Sequence, residues 1–176
     1  AEKAFRTVLK MEEDHAPALN GLGLVFQKTP RALQWAVKYF KRAPVVDPAY
    51  TEAYYNLARA HHGMRGTKEL DAYLALVKAN PKHLDGWFQL GRIYKDGIET
   101  HFRDPEKAER AYRTQLETNP GHLGARQQLG EVLRILGKTD EAVTMLETVV
   151  DPPSAYQRKA LLELATAHQI SREHDR

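Results

Sequence analysis

A leucine followed by a small residue returns five times along this chain, at Leu22-Gly23, Leu57-Ala58, Leu90-Gly91, Leu129-Gly130 and Leu164-Ala165, with spacings of 35, 33, 39 and 35 residues. Self-similarity at a period of roughly 20–50 residues confines a chain to architectures in which one supersecondary unit is stacked on the next. Three residues before each leucine stands Leu19, Tyr54, Trp87, Arg126 or Leu161. Three after each small residue stands Phe26, His61, Tyr94, Leu133 or His168. Large, large, small and large groups thus fall at i, i+3, i+4 and i+7, which is one face of an α-helix. A second helical pattern follows, with the same i, i+4, i+7 geometry, at Ala36, Phe40, Ala43, at Ala108, Tyr112, Gln115 and at Ala142, Leu146, Val149.

These second helices should stop at Asp47-Pro48, Asn80-Pro81, Asn119-Pro120 and Asp151-Pro152, because the residue before proline is pushed out of the helical region. Turn and capping signals separate the helices within a unit: Thr29-Pro30, Gly66-Thr67, Asp104-Pro105 and Gly137-Lys138-Thr139-Asp140. Ser154 with Gln157 reads as a capping box for the last helix. Composition agrees: 22 Ala and 20 Leu against 10 Val and 4 Ile favour helix over strand.

The pattern resembles the tetratricopeptide repeat, whose signature runs aromatic, Leu-Gly, Tyr, Ala with Phe, then Pro. Trp87, Leu90, Gly91, Tyr94, Ala108, Tyr112 and Pro120 match it best, with Tyr54, Leu57 and Ala58 next. The resemblance covers essentially all 176 residues. It implies an all-α, right-handed solenoid of antiparallel helix pairs. In this reading a half repeat at 1–15 precedes repeats at about 16–50, 51–83, 84–122 and 123–157. A terminal half repeat at about 158–176 follows, and the chain is expected to be an excerpt of a longer protein.

Three places depart from the pattern. Pro44 falls inside a second helix, which should therefore end or bend near Arg42. Glu69 stands where the family has a small Ala, so the helix from Thr67 to Ala79 has two possible faces: the family register, or Ala72, Leu76 and Ala79. The longest unit carries its extra residues between Lys95 and Pro105, either as a longer inter-helix loop or as a partner-contacting one.

Little in the chain suggests catalysis. It has no cysteine and only two serines, Ser154 and Ser171, so thiolate chemistry is excluded and serine chemistry has few candidates. The absence of cysteine fits a reducing or an oxidising compartment. Gly137-Lys138-Thr139 imitates a phosphate loop, but Val132 stands where the motif needs its first glycine; a helix stop, a solvated lysine and a helix cap account for it. Glycines 21 and 23 fail as a dinucleotide fingerprint at Phe26. His15, His83 and His122 recur in successive turns, which stacking separates, and His61 and His62 point about 100° apart on one helix. No metal or cofactor is expected. The acidic runs Glu12-Glu13-Asp14 and Asp140-Glu141 read as solvated faces.

One residue beyond each large packing position, a second stripe runs along the first helices: Tyr55, Arg59, His62; Phe88, Arg92, Lys95; Gln127, Glu131, Arg134, with Asn56 and Gln89 beside them. In the family resembled this stripe lines the concave groove that holds partner peptides. Aromatics beside arginines suit an extended peptide of acidic character, since arginine pairs carboxylates bidentately. The family's two-carboxylate clamp is not reproduced, since only Asn56 of its five polar positions agrees.

The expected role is a non-catalytic interaction scaffold for a protein or peptide. The alternatives are the substrate-selecting arm of a larger enzyme and an RNA-binding solenoid. A net charge of +3 gives phosphate little to hold, so no nucleic acid partner is expected. No apolar run approaches the roughly 18 residues of a membrane span, so no membrane insertion is expected. Phe5, Val8, Leu9, Leu161 and Leu164 lie in the end helices and predict weak self-association there.

Overall fold

The computed structural model describes residues 1–63, 68–97, 103–150 and 157–174, all of them helix, turn or connection without a strand. Two compact units are present, Ala1–Gly86 and Trp87–Arg176. The first holds α1 (Glu2–Met11), α2 (Ala16–Gln27), a 3-10 turn (Pro30–Ala32), α3 (Leu33–Val46), α4 (Thr51–Gly63) and α5 (Lys68–Ala79). The second holds α6 (Gly86–Asp96, its first residue lying in the first unit), α7 (Pro105–Thr118), α8 (Leu123–Ile135), α9 (Thr139–Val150) and α10 (Gln157–His174). The fold is all-α, made of consecutive helices packed in pairs, α2 on α3, α4 on α5 and α8 on α9.

The repeated small residue explains itself at the pair interfaces. A Cβ built on Gly23 would lie 2.4 Å from the Phe40 ring, one on Gly91 2.5 Å from Tyr112, and one on Gly130 2.5 Å from Leu146. Each of these three glycines on a first helix is therefore the seat of the large residue on its second helix. Phe40, Tyr112 and Leu146 are all completely buried, as is Ala58 at the equivalent place on α4. Around these seats the cores assemble. In the first unit Ala16, Leu19, Ala43 and Ala53 form one cluster and Ala36, Phe40 and Ala60 another. In the second, Tyr112, Leu129 and Leu133 anchor one cluster, and Leu146, Val149 and Ala160 form another.

Helix ends follow the turn chemistry closely. Asp104 caps α7, its carboxylate accepting the Lys107 N–H at 2.8 Å with Pro105 in the first helical position. Lys107 Nζ pairs with the same side chain at 2.9 Å. Gly137 ends α8 at φ 75°, where the Lys138 N–H reaches back to the Leu133 carbonyl at 2.9 Å.

Several expectations are corrected. The helix carrying Pro44 does not end at Arg42 but runs on to Val46, and the Asp47 N–H closes it on the Ala43 carbonyl at 2.9 Å. Proline costs a helix one hydrogen bond, and so near the end few turns depend on it; its ring is buried. Thr29 caps only the 3-10 turn, without a side-chain bond, and α3 starts at Leu33. On α5 the family register holds: Glu69, Tyr73 and Leu76 are buried together with Ala72, while Ala79 is exposed. Glu69 fits because its buried carboxylate is met by the His62 Nδ1 at 2.9 Å.

Lys138 is not simply solvated, since its ammonium sits on both carboxylate oxygens of Glu109, at 2.8 and 2.9 Å. The acidic runs are exposed but paired: Arg42 donates to Glu13 and Asp14 at 2.9 Å each, and Arg113 pairs with Glu141. Of the Lys95–Pro105 insertion, its base is described. The Asp104 N–H closes on the Tyr94 carbonyl at 2.7 Å, and Lys107 Nζ lies 5.7 Å from the centre of the Tyr94 ring. Residues 98–102, with His101 and Phe102, lie outside the described residues, as do the Gly66-Thr67 turn, Asp151-Pro152 and Ser154.

Candidate functional site

On α4 the stripe is built around Tyr55. Its ring stacks on His83 at 5.3 Å between centroids and meets the edge of Tyr73 at 6.0 Å, and its hydroxyl donates to Asp85 Oδ2 at 2.8 Å. Arg59, one turn on, is exposed and carries its guanidinium 6.0 Å above the Tyr55 ring centre, with no ion pair among the described residues. Tyr55 is thus a fixed platform and Arg59 the cation presented on it. Asn56 faces inward instead. It is 8% exposed, and its amide donates to Asn20 Oδ1 at 3.0 Å; the Asn20 amide reaches the Tyr50 hydroxyl, which donates to Glu52 at 3.0 Å. This polar ladder ties α2 to α4, and burial with the Glu52 carboxylate raises the Tyr50 pKa above the ordinary phenol value. His62 is exposed, on Glu69.

In the second unit the stripe of α6 begins at Phe88, half-buried against Tyr112 at 5.9 Å and His122 at 4.7 Å. The Phe88 N–H donates to the buried Gln115 side chain at 3.0 Å. Arg92 is half-buried and donates to the Gln89 side-chain Oε1 at 2.8 Å, without an ion pair among the described residues. Lys95 is buried, with its ammonium 3.1 Å from Glu131 on α8, and Lys159 on α10 reaches the same Glu131 at 2.9 Å. Burial would lift the Glu131 pKa, but the two lysines prevail and hold it below the usual carboxylate value. Arg134 is joined to Glu163 at 2.9 Å. Gln127 is 2% exposed and belongs to the packed interior.

The eleven stripe residues therefore divide. Arg59 and Arg92 keep their charge unpaired among the described residues, over Tyr55 and beside Gln89. Lys95 and Glu131 pair with each other across α6 and α8, Arg134 pairs with Glu163 on α10, and Asn56 and Gln127 are interior. Sequence reasoning missed Asp85, Lys159 and Glu163, the partners contributed by neighbouring elements, because spacing within one helix says nothing about the helix it meets.

It also missed the work of the recurring histidines. His15 and His122 cap α2 and α8 through Nδ1, accepting the Ala18 and Ala125 N–H groups at 3.1 and 3.0 Å. His83 accepts from Asp85 N–H at 3.3 Å and is held below the usual imidazole pKa by burial, which the Asp85 charge only partly offsets. Among the described residues no three His, Asp or Glu groups are placed to share a metal ion, and no helix is long and apolar enough to cross a membrane.

The helix pairs, their small-on-large seats and the repeat signature define a tetratricopeptide-repeat-like protein. Solved structures agree on the fold. The crystal structure of YrrB, described as a TPR protein with an unusual peptide-binding site, superposes with a TM-score of 0.79 at 20% identity, covering 98% of this chain and 86% of that one. Two crystal structures of MamA each give a TM-score of 0.66; one is 27% identical over 96% of this chain and 89% of that one, the other 26% identical over 96% and 84%. Among curated proteins, bimA of Emericella nidulans is 35% identical over 80 residues, a match covering 41% of this chain and 10% of bimA. No protein-family model matches the chain.

Proposed function

We propose that the chain is a protein-interaction scaffold, with no catalysis of its own, that binds an extended peptide or protein segment through the stripes of its first helices. The observation that carries this reading is the pair of arginines left unpaired on stripes whose other charges are matched. Arg59 stands exposed over a tyrosine held on three sides, and Arg92 is positioned by Gln89. A preorganised cation on a rigid aromatic is what an acidic or carboxylate-bearing peptide needs, because little ordering remains for binding to impose. The peptide-binding site named for YrrB, in the same fold, supports the reading. Replacing Arg59 and Arg92 together by Ala tests the proposal: partner capture should fall while helicity stays, and undiminished capture would refute it.

A further inference from the structure

On the other side of α4, where the packing stripe turns toward α3 and α5, lies a cleft of about 370 Å³, inside the range of roughly 300–1,000 Å³ common for small-ligand sites. Its walls are apolar: Pro44 from α3, Tyr54 and Leu57 from α4, and Ala75 from α5. Its polar groups are few and uncommitted. His61 lines it from α4, 5% exposed and without a hydrogen-bond partner among the described residues. Lys41 comes from α3, and Lys68 and Asp71 from α5. Lys68 and Asp71 stand three residues apart, where helix geometry makes side chains neighbours, yet they form no ion pair with each other or with Lys41 among the described residues.

Burial first, and then the charges of Lys41 and Lys68, hold the His61 pKa below its usual value against the opposing pull of Asp71, so near neutral pH it is an uncharged group beside two cations.

We propose that this cleft is a binding site for a free apolar α-amino acid. The ligand's carboxylate meets Lys41 and Lys68, its ammonium meets Asp71, and its side chain covers the apolar walls beside neutral His61. A plain fatty or aromatic acid would leave Asp71 facing its carboxylate; a peptide end carries only one of the two charges. A free amino acid brings opposite charges one atom apart on a body small enough for the volume. The proposal is independent of the peptide stripe, because His61 and His62 project about 100° apart and Arg59 takes no part in the cleft.

The experiment titrates the whole chain, by calorimetry and by methyl NMR of Ala75, with four probes: phenylalanine, 3-phenylpropanoate lacking the ammonium, 2-phenylethylamine lacking the carboxylate, and glycine lacking the side chain. Phenylalanine should saturate the site, and each truncated probe should bind about ten-fold more weakly or worse, the cost of one charge-assisted contact or of the apolar contact. The exposed double substitution Lys41→Gln/Lys68→Gln and the single Asp71→Asn should each lose a similar factor with circular dichroism unchanged. The cleft-filling Ala75→Leu should abolish the calorimetric binding of phenylalanine. The proposal is overturned if 3-phenylpropanoate binds as well as phenylalanine, if phenylalanine shows no saturable binding up to about 10 mM (a free energy near 3 kcal/mol), or if the charge substitutions leave binding unaltered.

Discussion

Replacing Gly91 by Leu strikes the device that repeats along the chain. Carbon atoms normally approach to about 3.5–4.0 Å, yet the first added atom would stand 2.5, 2.7 and 2.7 Å from three ring atoms of Tyr112. The ring has nowhere to retreat, since Tyr112 is wholly buried and packed against Phe88. Overpacking of this kind costs about 1–3 kcal/mol, and the fully buried ring places Gly91 at the upper end. Leucine's better helix propensity returns about 0.8 kcal/mol. The net loss should be about 2 kcal/mol, a fall of roughly 4–8 °C in thermal midpoint for a chain of this size. Circular dichroism melts of the variant, with Gly121→Leu as control, provide the assay: a Cβ at Gly121 meets only Asn119 Oδ1, at 3.7 Å. In a Tyr112→Ala background the cost of Gly91→Leu should shrink by at least about 1 kcal/mol, because the clashing atoms are gone. An unchanged midpoint for Gly91→Leu, or equal costs in both backgrounds, would refute the pairing of small seat and large knob.

Stability should decline as pH falls below about 6.5, because His61 and His83 both have folded pKa values beneath the ordinary imidazole value, mainly through burial. The unfolded chain then takes up protons first, the loss runs from the unfolded pKa down to the folded one, and His61→Gln should flatten the slope of the urea midpoint against pH. A second decline should follow below about pH 4.5. Glu109 and Glu131 resist burial's upward push through Lys138 and Arg113, and Lys159 and Lys95, respectively, so both carry stability that protonation removes. Glu109→Ala should cost about 1 kcal/mol in chemical denaturation, because Lys138 loses its carboxylate and Arg113 keeps only Glu141, both cations being partly screened by solvent. His122→Ala should cost about 1 kcal/mol through the lost cap of α8. Light scattering over a concentration series should show weak self-association, and Leu162→Glu on the exposed apolar edge of α10, where Leu161 and Leu162 are 47% and 68% exposed, should diminish it.

What could be read from the chain was what repeats within it. Period and face located the first helices and the second helices α3, α7 and α9, because the Leu-small pairs and i, i+4, i+7 triplets encode contacts made within one repeat; Gly91 on Tyr112 is that code in atoms. Pro44 misled because a propensity penalty takes no account of position, and near a helix end the missing N–H matters little. Glu69 left two faces open because a carboxylate on a core stripe looks like a register error until His62 appears beside it. The stripe was legible as residue types and not as commitments. Lys95 and Arg92 share a helix face and a charge, but one is neutralised by Glu131 from α8 and the other is not. Such pairings depend on which helix stands opposite, a fact no single helix carries.

The central claim, that the arginine-bearing stripes hold an extended peptide, is tested most directly by selecting ligands from an unbiased displayed peptide library on the immobilised chain. The affinities of the enriched peptides are then measured for the unaltered protein and for Arg59→Ala/Arg92→Ala. The account predicts enrichment of peptides carrying Asp, Glu or a free carboxylate, with affinity lowered about ten-fold or more in the double variant and helicity retained. Enriched peptides that bind both proteins equally, or that show no acidic character, would contradict it.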